Sequence, residues 1–235
     1  TTISSPVQVG ALTTWSAIAL GAYFLIATKT DGTLWGVGRS NEGQLGQGNT
    51  TDHSSPVQVG ALTDWTDKIA VGYGHVLAIK SDGTFWSWGE AAYGATGQGT
   101  TTKVSSPVQV GALTDWSEIT GQQVGGLSVK TDGTLWAWGQ NNYGQLGQGD
   151  ITNYSSPVQI GALTDWSKSG SGSNSNFSLK TNGTLWSWGA GASGALGHGN
   201  ITNYSSPVQI GALTTWVKIS NRWANSNNFS ALKTV

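Results

Sequence analysis

Cysteine is absent from this 235-residue chain, which excludes disulfides, thiolate metal ligands and a cysteine nucleophile without fixing a cellular compartment. Methionine is absent as well, and Thr1 is followed by no basic, apolar signal segment, so the chain reads as a processed product or a piece of something longer. Charge is scarce: 11 Lys and Arg stand against 12 Asp and Glu, a net charge of -1. With no basic surplus to neutralise phosphates, nucleic acid is a poor candidate partner. Long hydrophobic runs are missing except for the uncharged stretch 11–28. Its counterparts later in the chain carry Asp67, Lys68, Glu118 and Lys168, so a buried strand pair fits it better than membrane insertion. What remains is rich in Gly, Ser, Thr and Asn, a composition suited to a β-rich, loop-rich protein.

Proline is equally sparse and its placement is informative. All five prolines, Pro6, Pro56, Pro107, Pro157 and Pro207, sit in one phrase, SSPVQ[VI]GALT, at spacings of 50, 51, 50 and 50 residues. The chain is therefore an internal repeat with units beginning near Ser4, Ser54, Ser105, Ser155 and Ser205, read as one domain over 1–235. Each unit suggests four short strands. The proline strand lacks a ladder donor and belongs at a strand start or outer edge. A strand opening on Trp116 and a "GLSVK" strand follow in the third unit, and Asp132-Gly133 reads as a two-residue turn with positive φ angles leading into "TLWAWG". Trp136 and Trp138 alternate with Ala137 and share one strand face, where they can pack against a neighbouring sheet. A lone four-stranded sheet of this length cannot bury both faces, so the expectation is an all-β propeller of four-stranded antiparallel blades.

The phrases "DGTLWGVGRSNEGQLGQG" from Asp31, "DGTFWSWGEAAYGATGQG" from Asp82, "DGTLWAWGQNNYGQLGQG" from Asp132 and "NGTLWSWGAGASGALGHG" from Asn182 resemble the regulator-of-chromosome-condensation repeat family. The resemblance covers nearly the whole chain and implies a propeller, commonly of seven blades. Here there are about five repeats, four complete and the last lacking one strand, because the sequence stops at "FSALKTV" where the next turn would begin. A partial repeat array is favoured over a complete five-bladed ring, since an unpaired strand edge invites association. The resemblance also suggests guanine-nucleotide exchange on a small GTPase, which is not carried over because no insertion interrupts these uniform units. Near-identical repeats of this kind further resemble bacterial surface and phage structural proteins, which implies adhesion or a tail-fibre role in an extracellular or virion setting.

Two windows vary between otherwise near-identical copies. One precedes the Lys strand (17–24, 67–75, 118–126, 168–176, 218–228) and the other follows the Trp-Gly strand (39–42, 90–93, 140–143, 190–193). Variable loops on a fixed scaffold are where binding specificity develops, although recent duplicates also drift fastest there. Candidate contact residues in the windows are Tyr23, Tyr73, His75, Tyr93, Tyr143, Arg222 and Trp223, whereas Asp132, Gly133, Trp136 and Trp138 are read as structural. Expected partners are a cell-surface glycan or protein, or further copies of the chain. A lectin with one sugar pocket per blade is an alternative that would need identical linings. Catalysis, cofactors and metals are not expected: His53, His75 and His198 occupy different places in the unit, and Asn182 stands where Asp31, Asp82 and Asp132 recur, as a turn-former would. Sequons begin at Asn49, Asn153 and Asn176.

Overall fold

The repeated Asp-Gly-Thr-Leu-Trp phrase closes a hairpin through a chain of hydrogen bonds. In a computed structural model describing residues 13–220 and 230–233, Asp132 Oδ1 accepts from the Thr134 backbone N–H at 2.9 Å and its hydroxyl at 2.7 Å. The same hydroxyl oxygen accepts from Trp136 Nε1 at 2.8 Å. Asn182 Oδ1 does the same for Thr184, which is why an amide substitutes for the acid there. These donors, the Thr134 hydroxyl foremost, lower the Asp132 pKa, and Asp31 and Asp82 are lowered in the same way by Thr33 and Thr84. The turn differs from the two-residue form expected. Gly133 N–H donates to Lys130 O and Lys130 N–H to Thr134 O, and only Gly133 (φ +78°) has a positive φ. The result is a three-residue loop, a tight turn followed by a left-handed glycine, in which Asp132 keeps an ordinary backbone and uses its carboxylate as the clasp. A Cβ at Gly133 would lie 2.1 Å from Thr164 O, so the turn also needs glycine to meet the link into the next sheet.

Four sheets of four antiparallel strands follow one another. The first holds β1 (Trp15–Leu20), β2 (Phe24–Lys29), β3 (Leu34–Gly38) and β4 (His53–Gln58); the second β5 (Trp65–Val71), β6 (His75–Lys80), β7 (Phe85–Gly89) and β8 (Val104–Gln109). The third holds β9 (Trp116–Gln122), β10 (Gly125–Lys130), β11 (Leu135–Gly139) and β12 (Tyr154–Gln159); the fourth β13 (Trp166–Ser171), β14 (Ser175–Lys180), β15 (Leu185–Gly189) and β16 (Tyr204–Gln209). A two-stranded sheet of β17 (Trp216–Ser220) and β18 (Ser230–Lys233) comes last. The stretch expected as a strand pair forms β1 and β2 over its described residues, and no described helix is long and apolar enough to cross a membrane. Each described proline strand (β4, β8, β12 and β16) is the outer strand of the preceding blade, so blades and sequence units are one strand out of phase and each of these units is stitched to the one before it. Pro56 falls inside the register shift between Gly36 and Gly38, where a missing ladder donor costs nothing.

Successive blades pack through apolar faces, with the first strands β1, β5, β9, β13 and β17 against one another around the axis. Ile26, Leu34, Leu45 and Val59 of the first blade meet Trp65, Val76, Ala78 and Trp88 of the second, and the pattern recurs between later blades. Trp88, Trp138 and Trp188 are completely buried, and their Nε1 atoms donate back to the preceding blade at Gln44 O, Ala95 O and Gln145 O (2.9, 3.0 and 2.8 Å). The first blade has Val37 in that position. Its outward face, with Ile18 at 62% and Leu20 at 57% exposure, is uncovered by any described residue.

Candidate functional site: a variable rim

Antiparallel alternation decides where the variable windows lie. The turn from first to second strand and the exit of the third strand fall at the same end of every blade, while the Asp-Gly turns fall at the other. The two windows are therefore joined directly: Arg39 N–H donates to Tyr23 O, Glu90 to Gly74 O, Gln140 to Val124 O and Ala190 to Asn174 O, each at 2.9 Å. Contacts also pass between blades, with Tyr73 N–H donating to Gln123 O (3.0 Å) and the Ser173 hydroxyl to Gln123 Oε1 (2.6 Å). Eight short segments thus form one continuous rim on a rigid arc.

Within it, Tyr23 and Tyr73 are exposed and border a cleft of about 190 Å³ shared with Arg39, Glu42, Gly74 and Glu90. Arg39 lies over the Tyr23 ring at 5.6 Å, and Lys103 pairs with Glu42 at 3.3 Å. Burial raises the Glu90 pKa, the neighbouring Glu42 charge adds to the rise, and Lys103 opposes it. A groove with two tyrosines, two carboxylates and an arginine can pair with mixed-charge side chains of another protein. Tyr93 and Tyr143 are exposed on the loops leaving the third strands and lie apart from that cleft.

His75 is corrected as a contact candidate. It is fully buried, its Nε2 is 2.9 Å from Gly125 O of the next blade, and burial takes its pKa down to about 4. Arg222 and Trp223 lie outside the described residues. Asn176 is buried with its Nδ2 donating to Gln145 O, which closes that sequon to modification. No group of three or more His, Asp or Glu among the described residues is arranged to hold a metal.

Sequence reasoning missed two repeated constellations. Lys80, Lys130 and Lys180 are buried, each with its ammonium over a pair of tryptophans (4.1 to 4.9 Å) and 3.2 to 3.4 Å from Asp64, Asp115 or Asp165. The signal was available: "ALTDW" in the three inner units becomes "ALTTW" in the first and fifth, where Thr14 and Thr215 stand in place of the acid. The second is a groove between adjacent blades, about 440 Å³ beside Gln98, Gln109, Leu113, Trp136 and Pro157, and about 500 Å³ beside Gln148, Gln159, Leu163, Trp186 and Pro207. No sequence signal marks a space that exists only when two blades meet.

A family model described as the regulator of chromosome condensation (RCC1) repeat matches residues 31–79, 132–179 and 182–220, and a second model of the same description matches 67–95. The RCC1 domain-containing protein RUG3, mitochondrial, of Arabidopsis thaliana is 29% identical over 115 residues, 48% of this chain and 26% of its own length. Among solved structures, human WBSCR16 superposes with a TM-score of 0.84 at 18% identity, over 97% of this chain and 60% of its own. Prp20p of Saccharomyces cerevisiae, whose structure is described together with its binding to Gsp1p and histones, gives 0.81 at 19% identity, over 96% and 58%. At such identities the likeness is one of fold. This chain therefore spans about a quarter or less of the curated relatives it matches and under two thirds of these two solved chains. The expectation of an extracellular or virion setting is overturned, because RUG3 is named as mitochondrial and Prp20p is reported with histones, both settings inside the cell.

Proposed function

Because the chain belongs to the regulator of chromosome condensation repeat family, we propose that it is a non-enzymatic recognition propeller that binds a protein partner through its variable rim. The observation that carries this reading is the convergence of both variable windows from every complete blade on one edge, tied by four equivalent backbone hydrogen bonds. Rigid strands hold loops whose side chains differ from blade to blade, which is how a repeat scaffold presents one composite surface rather than several identical sites. The cleft between Tyr23 and Tyr73 is the anchor, since exposed aromatic residues beside charged groups dominate such interfaces. The test compares the wild type with a Tyr23→Ser, Tyr73→Ser, Arg39→Ala variant and with a Thr131→Ala, Thr181→Ala control on the opposite rim, each checked for unchanged thermal unfolding. Partners cross-linked in cells and quantified by mass spectrometry should persist with the control and fall with the rim variant; equal recovery from all three would remove the rim from the proposal.

A second reading, a neutral sugar held between blades, draws on the repeated grooves, whose matching Trp, Gln and Pro linings offer an aromatic surface and amide oxygens to a pyranose ring. Titration calorimetry with a panel of monosaccharides separates the readings. Saturable binding at more than one site per chain supports the grooves, and absence of heat removes them.

A further inference from the structure

Of the four loops that leave the third strands, 39–42 and 90–93 carry charge while 140–143 and 190–193 carry none. Arg39, Glu90, Gln140 and Ala190 hold the same place in successive blades, directly after the last glycine of the third strand. Glu42 is matched by Tyr93, Tyr143 and Ser193. Charged members of this series therefore meet only where the first blade joins the second, in the cleft bordered by Tyr23 and Tyr73.

The charges in that cleft do not satisfy one another. Glu42 is engaged twice: Oε1 accepts from Asn41 Nδ2 at 2.9 Å and Oε2 pairs with Lys103 Nζ at 3.3 Å. Lys103 is held in place by a further bond to Asn41 O at 3.4 Å, and Arg39 lies over the Tyr23 ring. The Glu90 carboxylate is half-buried, yet it makes no hydrogen bond or ion pair with any described residue. Gly74 provides its seat, since a Cβ there would stand 2.8 Å from Glu90 Oε2, and Tyr23, Val124 and Asn174 occupy the equivalent position in the other blades. Burial disfavours the ionised carboxylate and the Glu42 charge adds to the penalty. A cation entering the cleft offsets both.

We propose that this cleft is the socket for one lysine side chain of a protein partner, with the ammonium on the Glu90 carboxylate and the aliphatic stem along the Tyr73 ring. The inference rests on the rim reading above and names the group that the rim selects. Glu90 supplies the opposite charge, and the flanking aromatic rings favour a cation while keeping its stem out of water. The place over Tyr23 is already taken by the Arg39 guanidinium, at 5.6 Å, so the cation that fits the remaining 190 Å³ or so is a compact ammonium on a flexible stem.

The experiment titrates the isotope-labelled intact protein with the peptide Ac-Ala-Ala-Lys-Ala-Ala-NH2 and follows backbone amide shifts by NMR. A matched peptide carries norleucine, which keeps the stem and removes the charge. Both titrations are repeated on Glu90→Gln, which should fold because the third blade carries Gln140 at this place. The expected result is saturable one-to-one binding of the lysine peptide at low salt, with shifts centred on Tyr23, Tyr73, Gly74 and Glu90. Affinity should fall at least about fivefold with norleucine and by a similar factor with Glu90→Gln. Absence of saturable shifts overturns the proposal, as does equal affinity for the two peptides or lysine binding indifferent to Glu90→Gln. Because the probe is a defined cation, the socket can fail here while cross-linked partners still depend on the rim. Lysine selectivity without any rim-dependent partner would retain the socket and remove the rim reading.

Discussion

Trp136 and Trp138 sit two residues apart on one strand face and differ in consequence. Trp138 is completely buried and its indole N–H bridges to Ala95 O of the neighbouring blade; Trp136 is half-buried and bonds Thr134 within its own hairpin. Trp138→Phe should therefore cost about 2 to 3 kcal/mol, combining a partial cavity with an orphaned carbonyl, and Trp136→Phe about 1 kcal/mol, both read from urea unfolding. His75 gives a pH signature of opposite origin to that of the turn carboxylates. Its pKa falls from 6.5 to about 4 because burial disfavours the imidazolium, so the unfolded chain takes up the proton first. Stability is intact above about pH 6.5 and is lost as pH falls toward 4, by up to roughly 3 kcal/mol. Phe24 occupies the corresponding place in the first blade, and His75→Phe should flatten this part of the stability profile.

At the scale of the element, one residue decides the path of the loop after the third strand. In the first and third blades Gln44 and Gln145 use Oε1 to accept the backbone N–H of Glu42 and Tyr143 at 2.8 and 2.9 Å. Ala95 and Ala195 cannot do this, and there the loop tightens into a 3-10 turn with Tyr93 (φ +55°) and Ser193 (φ +57°) in the left-handed region. Such a conformation is unfavourable for a bulky side chain. Ala95→Gln is expected to restore the side-chain acceptor, return Tyr93 to negative φ and raise stability by about 1 kcal/mol. Chemical denaturation measures the gain, and the Tyr93 HN–Hα coupling in NMR spectra reports the backbone change.

On the scale of the whole molecule, the blades of described residues form an arc whose principal contacts run between neighbours in sequence, so stability should be distributed by position. The second and third blades are covered on both faces. The first has an open outward face at Ile18 and Leu20, and the β17–β18 pair has exposed Val217 and Leu232. Hydrogen exchange should accordingly be slowest in β6, β7, β10 and β11, faster in β2, and fastest in β17 and β18, with mass spectrometry of peptic fragments as the measurement. Uniform protection across all five sheets would show that the ends are covered by something the arc does not itself provide.

The sequence alone determined the architecture, since a fifty-residue period, a proline that must lie at an edge and a D-G-T-x-W hairpin admit few solutions other than blades packed side by side. It also marked the variable windows, because near-identical copies reveal which positions are free to change. Tertiary structure alone decided that both windows share one rim, that His75 lies inside while Tyr23 and Tyr73 lie outside, and that each described proline strand completes the blade before it. The physical reason is range: hydrogen bonds and turns within a unit are local and leave local signatures. Burial at a blade interface depends on residues some fifty positions away, whose contribution exists only after the arc has formed.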